Sequence, residues 1–220
     1  MHNNGFSAKV LQMNKENPSF TSNDVKIEKI TPLHDGFFKM FAYEFRHKCF
    51  NGEWSDVVRR EMFERGHAVA ILPYDPITQE FVLIEQVRIG ALPTSSSPWL
   101  IEVIAGVIDE GETQESVCHR EAMEEAGIEL EHLTKALSYL SSPGGTTERL
   151  HIFMACTDST KAAGIHGLEY ESEDILVHRV SESTAYDWLE SGRIDNAAAV
   201  IALQWFFMHK QTLLKQWQET

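Results

Sequence analysis

The chain has 220 residues, of which 43% are hydrophobic and 24% charged, and a formal net charge of −14. This is ordinary globular usage, enough for one full core or for one domain with a small appendage. So acidic a protein repels phosphate backbones, which argues against nucleic acid as a partner; an anionic substrate would need local arginines or metal ions to bridge the repulsion.

Residues 1–24 carry few periodic signals, and the first twenty lack the apolar core of a signal peptide. They are expected to be disordered or loosely docked. From Val25 the texture changes. "GFFKMFAYEFRHKCFNGEW" predicts two strands joined by a turn at Asn51-Gly52, the favoured hairpin pair. Phe37, Phe38, Phe41, Tyr43 and Phe45 fall on both faces of the first strand. A small hairpin cannot bury both faces alone. Residues 1–60 are therefore expected to form a small antiparallel β domain that packs on another domain or a second subunit, with residues 61–220 as the main domain.

"HAVAILPYD", "EFVLIEQVR" and "WLIEVIAGVI" are short apolar runs punctuated by Pro73, Asp75 and Gly106, as buried strands are. A helix is predicted from Thr113, a natural N-cap, to Ala126, with Gly127 at its C-terminal boundary. "KALSYLSS" and "RLHIFMAC" predict strands around the turn "SPGGTTE", and a long loop over 158–174 precedes the strand "ILVHRV". Two helices close the chain, Glu182–Ser191 and a longer one from about Asn196. The pattern implies an α/β or α+β domain, a mixed sheet covered by helices. Cys49, Cys118 and Cys156 are dispersed with no C-x-x-C, and the ten histidines form no H-E-x-x-H, so neither a disulfide framework nor a zinc site is expected. The apolar run near Ala197–Met208 is broken by Gln204 and too short to span a bilayer. The chain reads as soluble and cytoplasmic, with no membrane partner.

The predicted helix "REAMEEAG" places Glu121, Glu124 and Glu125 within an arc of roughly 100°. Like charges at such spacing repel. A solvated acidic face is one account. The other is a cation among the carboxylates, and an all-oxygen donor set selects a hard ion, Mg²⁺ or its substitute Mn²⁺, over Zn²⁺.

Gly106, five residues, Glu112, seven residues, Arg120-Glu121-Ala122, one residue, Glu124-Glu125, one residue, Gly127-Ile128 resembles the signature box of the Nudix hydrolases at every defined position. The resemblance implies an α/β/α sandwich with a mixed sheet. It also implies divalent-metal hydrolysis of nucleoside diphosphates linked to another moiety. Glu121, Glu124 and Glu125 would be metal ligands, with the Ala105 carbonyl a further one and Glu125 close to the chemistry. Gly106, Glu112, Arg120 and Gly127 would shape the box. "IEQVRIGA", "SSPGGTTER" and "IDNAAAVIALQWF", with Pro143 sixteen residues past Gly127, are similar to the bacterial ADP-ribose pyrophosphatases within that family. That resemblance implies a homodimer in which both chains build each pocket. It also implies an acidic loop supplying the general base, here "GLEYESED". Glu171 is favoured for this role, Glu173 second, with Glu169 and Asp174 also in the loop. For the substrate, Arg88 and then Arg60 are phosphate candidates. Phe37 is a candidate to stack on adenine, Ser142 to approach the ribose phosphate, and Glu102, odd in an apolar strand, to bond the ligand or help the metal site. Alternatives are another sugar nucleotide such as ADP-glucose, or a non-catalytic module that senses ADP-ribose.

Overall fold

The computed structural model describes residues 20–219. Residues 1–19, for which a disordered or loosely docked state is expected, lie outside the described residues. Ser22–Asp24 form a 3-10 turn capped by Thr21.

The chain divides into two compact units, Met1–Glu64 and Arg65–Thr220. The first holds an antiparallel sheet of β1 (Val25–Asp35), β2 (Lys39–His47) and β3 (Val58–Glu64), with β2 in the middle. Two expectations are corrected here. The sheet has three strands, not two, because β1 pairs with β2 along nearly its whole length. The turn at Asn51-Gly52, by contrast, is as expected: Lys48 pairs with Trp54, the Cys49 N–H donates to the Glu53 carbonyl at 2.7 Å, the Gly52 N–H donates to the Cys49 carbonyl at 2.8 Å, and Gly52 adopts a φ of 87°. A domain boundary after residue 60 would cut β3, whose ladder with β2 continues to Glu64. Phe37 sits in the β1–β2 turn and is 95% exposed.

The second unit is an eight-stranded mixed sheet between helices, the α/β/α sandwich that the resemblance implies. β4 (Ala68–Asp75) runs parallel to β9 (Arg149–Cys156), and β8 (Glu131–Leu140) lies outside β9. On the other side come β5 (Glu80–Val87), β11 (Ile175–Ser181) and β10 (Ile165–His166). Alternate strand residues enter opposite cores. Ala70, Leu72 and Leu83 join Ala202, Leu203 and Phe206 of α3 (Ala197–Glu219) and Ala185 of α2 (Glu182–Glu190). Val69, Ile71, Val82 and Ile84 join Val117, Cys118 and Ala122 of α1 (Gln114–Ala126). Both sheet faces are covered, which is why β4 reads as an unbroken apolar run.

One irregularity positions the site. β4 and β5 pair only beside their turn, at Tyr74/Phe81 and Asp75/Glu80, and then part. The gap is filled by a wedge of two short strands: β6 (Trp99–Glu102) pairs with β5, and β7 (Ile104–Val107) with β4. Glu102, Ala105 and Gly106 lie on this wedge. Among the described residues, no helix is long and apolar enough to cross a membrane.

Candidate active site

α1 starts as predicted. Thr113 is extended, its Oγ1 accepts the Ser116 N–H, and Ser116 Oγ accepts the Thr113 N–H in return. The helix ends at Gly127, whose φ of 63° is left-handed and where a Cβ would lie 2.6 Å from His166 Cε1. Its buried face is Val117, Cys118, Glu121, Ala122, Glu125 and Ala126, so two carboxylates stand in an otherwise apolar stripe. Burial penalises their charge. It pushes Glu121 up to about 7, against the pull of Arg120 and helped by Glu124 and Glu173. It pushes Glu125 up to about 8, against a hydrogen bond from Ala105 and helped by Glu121.

β7 is shaped around these two groups. The Ala105 N–H donates to Glu125 Oε2 at 3.0 Å. In an antiparallel ladder the N–H and C=O of one residue leave by the same edge, so the Ala105 carbonyl faces the same gap. Gly106 stands against Glu121: a Cβ there would overlap the Glu121 carboxylate and Cγ. The glycine of the box is therefore a steric clearance for a specific side chain.

The repulsion among the carboxylates is offset by Arg120. Its Nη1 donates to Glu121 Oε1 at 2.7 Å and to Glu124 Oε2 at 3.0 Å. Its Nε donates to Glu112 Oε1 at 3.0 Å, and Glu112 Oε2 also accepts the Asp109 N–H at 3.0 Å. Arg120 thus has a wider role than tying the loop to the helix. Among the described residues, no three acidic, imidazole or thiol side chains are gathered as an ion-binding group. The donor chemistry still fits a hard divalent cation, since every available group is an oxygen: Glu121, Glu124, Glu125 and the Ala105 carbonyl. Asp109, Glu110 and Glu115 are exposed.

The acidic loop is pinned to the end of α1. The Gly167 N–H donates to the Glu124 carbonyl at 3.2 Å, and the Leu168 N–H to Glu173 Oε2 at 3.1 Å. Gly167 has a φ of 103°, and a Cβ on it would approach Glu173 Cβ to 2.7 Å. Glu173 is close enough for its charge to act on Glu121, Glu125 and Arg88. Glu171 ends the 3-10 turn Glu169–Glu171, and its side chain lies outside the described residues. Glu102 is not a lone buried carboxylate: its Oε2 accepts from Arg88 Nε at 2.9 Å and lies 2.8 Å from Arg88 Nη2. Burial works against the Arg88 charge, but Glu102, then Glu125 and Glu173, outweigh it and hold its pKa above the ordinary value.

One locale therefore collects Arg88, Glu102, Ala105, Gly106, Glu112, Arg120, Glu121, Glu124, Glu125 and Glu173. Ser142 is exposed in the β8–β9 turn, and among the described residues no hydrogen bond or ion pair joins it to the carboxylates. Phe37 and Arg60 belong to the first unit, where Phe37 packs edge-on against Phe38 and Arg60 Nη1 donates to the Arg59 carbonyl. Sequence reasoning missed Gly167, which a glycine directly before an acidic run could have flagged. A cavity of about 530 Å³ at the start of α1, lined by His67, His151 and Glu115 among others, meets the cluster through Glu112.

Residues 64–194 match the NUDIX domain family. The chain belongs to the Nudix family. This Nudix chain is 54% identical over 199 residues to the ADP-ribose pyrophosphatase of Escherichia coli K12, covering 90% of this chain and 95% of the relative. It is 46% identical over 204 residues to the ADP-ribose pyrophosphatase of Haemophilus influenzae, covering 91% and 94%. In fold it resembles a crystal structure described as an ADP compounds hydrolase, with a TM-score of 0.63, 21% identity, and coverage of 89% of this chain and 95% of that one.

Proposed function

We propose that this Nudix protein hydrolyses the pyrophosphate of ADP-ribose, giving AMP and ribose 5-phosphate, with Mg²⁺ as its cation and Mn²⁺ as a substitute. The observation that carries the reading is the pair Glu121 and Glu125 on the buried face of α1, with Glu124 linked to Glu121 through Arg120 and the Arg88–Glu102 pair close by. The high identity to enzymes named ADP-ribose pyrophosphatase supports the choice of substrate. A divalent cation held by Glu121, Glu124, Glu125 and the Ala105 carbonyl would neutralise phosphate oxygens and make a bound water more acidic. The protein's own groups do the rest. Arg88 and Arg60 grip phosphate oxygens, Phe37 stacks on the adenine, and Ser142 approaches the ribose phosphate. Glu171, with Glu173 as second candidate, accepts the proton of the attacking water. Dispersed free thiols suit a reducing compartment, and the reading assigns the cytoplasm.

The test is to incubate the protein with Mg²⁺ and, separately, ADP-ribose, ADP-glucose, NADH and diadenosine polyphosphates, and to assay products. ADP-ribose is expected to be cleaved fastest, and EDTA to abolish cleavage. No turnover of ADP-ribose rejects the reading. Fastest cleavage of ADP-glucose favours another sugar nucleotide, and tight binding without turnover favours a sensing module.

The same reading includes a homodimer. It is supported by the apolar side chains that the first unit leaves exposed, Val25, Ile27, Ile30, Leu33 and Phe37, which a second copy would cover. Sedimentation equilibrium is expected to give twice the chain mass of 25.0 kDa. A fully active monomer at micromolar concentration would remove the dimer from the proposal.

A further inference from the structure

We propose that Gln86 is a positioning residue: it takes over the Glu102 carboxylate when Arg88 leaves it for the substrate's diphosphate. The inference rests on the reading of Arg88 as a phosphate ligand. Gln86 lies on β5, is 7% exposed, and its Nε2 has no hydrogen-bond partner among the described residues. A buried amide donor without a partner is unfavourable and needs an account.

The strand register supplies one. Ile84 stands opposite Glu102, Gln86 opposite Leu100, and the Arg88 N–H bonds the Pro98 carbonyl at 2.7 Å. Residues two apart on a strand share a face, so Ile84, Gln86 and Arg88 line one side with Glu102 and Leu100 beside them. That side faces α1, because Val82 and Ile84 pack with Val117 and Ala122. To reach Glu102, the Arg88 side chain must cross the Gln86/Leu100 row. The ion pair therefore spans Gln86, which is the diagonal neighbour of Glu102 and within reach of it for a side chain of this length.

The arrangement sets a problem and offers its answer. The Glu102 side chain is only 12% exposed. If Arg88 turned to a diphosphate with nothing in its place, a nearly buried carboxylate would be left unpaired. The free NH₂ of Gln86 is the nearest donor in the register. Exchange of Arg88 for Gln86 keeps Glu102 hydrogen-bonded and lets the guanidinium go to substrate at lower cost. Resting and bound states would each satisfy Glu102, and Gln86 would be satisfied only in the bound one.

Gln86→Leu removes the donor at similar volume, and Gln86→Met is a second variant in case Leu disturbs folding. Loss of one hydrogen bond to a charged group is expected to raise KM for ADP-ribose about tenfold, with kcat within about threefold. Calorimetry in EDTA should show a parallel loss of affinity for ADP-ribose and for inorganic pyrophosphate. In a Glu102→Gln background no charge is stranded, so adding Gln86→Leu should change neither KM nor affinity further. Unchanged KM and affinity in Gln86→Leu and Gln86→Met, or the same loss in the Glu102→Gln background, would overturn the proposal. Absence of ADP-ribose hydrolysis by the wild type counts against the functional reading instead, and the pyrophosphate affinities still decide the role of Gln86.

Discussion

Gly106→Ala is expected to lower kcat on ADP-ribose by about 100-fold, the loss that a misplacement of roughly 1 Å can cause in an active site. The melting temperature should fall by only about 2–4 °C, the equivalent of roughly 1 kcal/mol in a chain of this size. The difference between the two effects follows from what the new methyl would strike. It would overlap the Glu121 carboxylate and Cγ, not backbone. The strand can keep its ladder with β4, in which Gly106 faces Val69, while Glu121 must rotate away. Rotation breaks its 2.7 Å bond from Arg120 and takes the carboxylate out of the group that includes Glu124 and Glu125. Steady-state kinetics beside a thermal melt read both quantities. A kcat within twofold of wild type would mean that Glu121 is not needed where it stands. A loss of activity that tracks unfolding would make Gly106 a folding residue. The Gly106→Ala, Glu121→Gln double variant should be little worse than Glu121→Gln alone, since both act on one group.

What the sequence disclosed and what it withheld divide along the length scale of the interactions. α1 was legible because its determinants are local: Thr113 and Ser116 cap one end and Gly127 the other. The alternate faces of β4 and β5 were legible as apolar runs because both are buried. The first unit was misread because β1 has little apolar periodicity and is held by pairing with β2, a partner that composition does not reveal. Phe37, in a run of aromatic residues, reads as part of a strand, although Gly36 before it marks a turn. Within the site, the clustering of Glu121, Glu124 and Glu125 follows from helical spacing. The identity of the resting counter-charge does not. The pairing of Arg120 with Glu112 follows from the box and exists, but its bonds to Glu121 and Glu124 require the guanidinium to turn across the helix surface. The Arg88–Glu102 pair depends on the wedge of β6 between diverging strands, which no local pattern encodes. Glu102 was nevertheless identifiable as anomalous, because a carboxylate in an apolar strand must find a partner.

Glu171→Gln is expected to lower kcat by about 10²–10⁴-fold, the usual contribution of a general base. KM should change little. Glu173 invites the opposite assignment, because its charge reaches Glu121 and Glu125. Its carboxylate already has a task, however: Oε2 accepts the Leu168 N–H and closes the loop over Gly167, whose own N–H is bonded to the end of α1. A glutamine keeps an oxygen able to accept that bond, whereas an alanine does not. If Glu173 chiefly anchors the loop, Glu173→Gln should retain activity to within about tenfold, the lower bound for losing an outer supporting contact. Glu173→Ala should then be worse in kcat and KM together, as expected when a loop that must close is loosened. If Glu173 is the base, the two variants should be equally inactive, because neither can take a proton from water. Wild-type kcat in Glu171→Gln, with equal inactivity of the two Glu173 variants, would move the base two residues along the loop. It would also mean that the bond to Leu168 holds a catalytic carboxylate in place, and does not merely brace the turn.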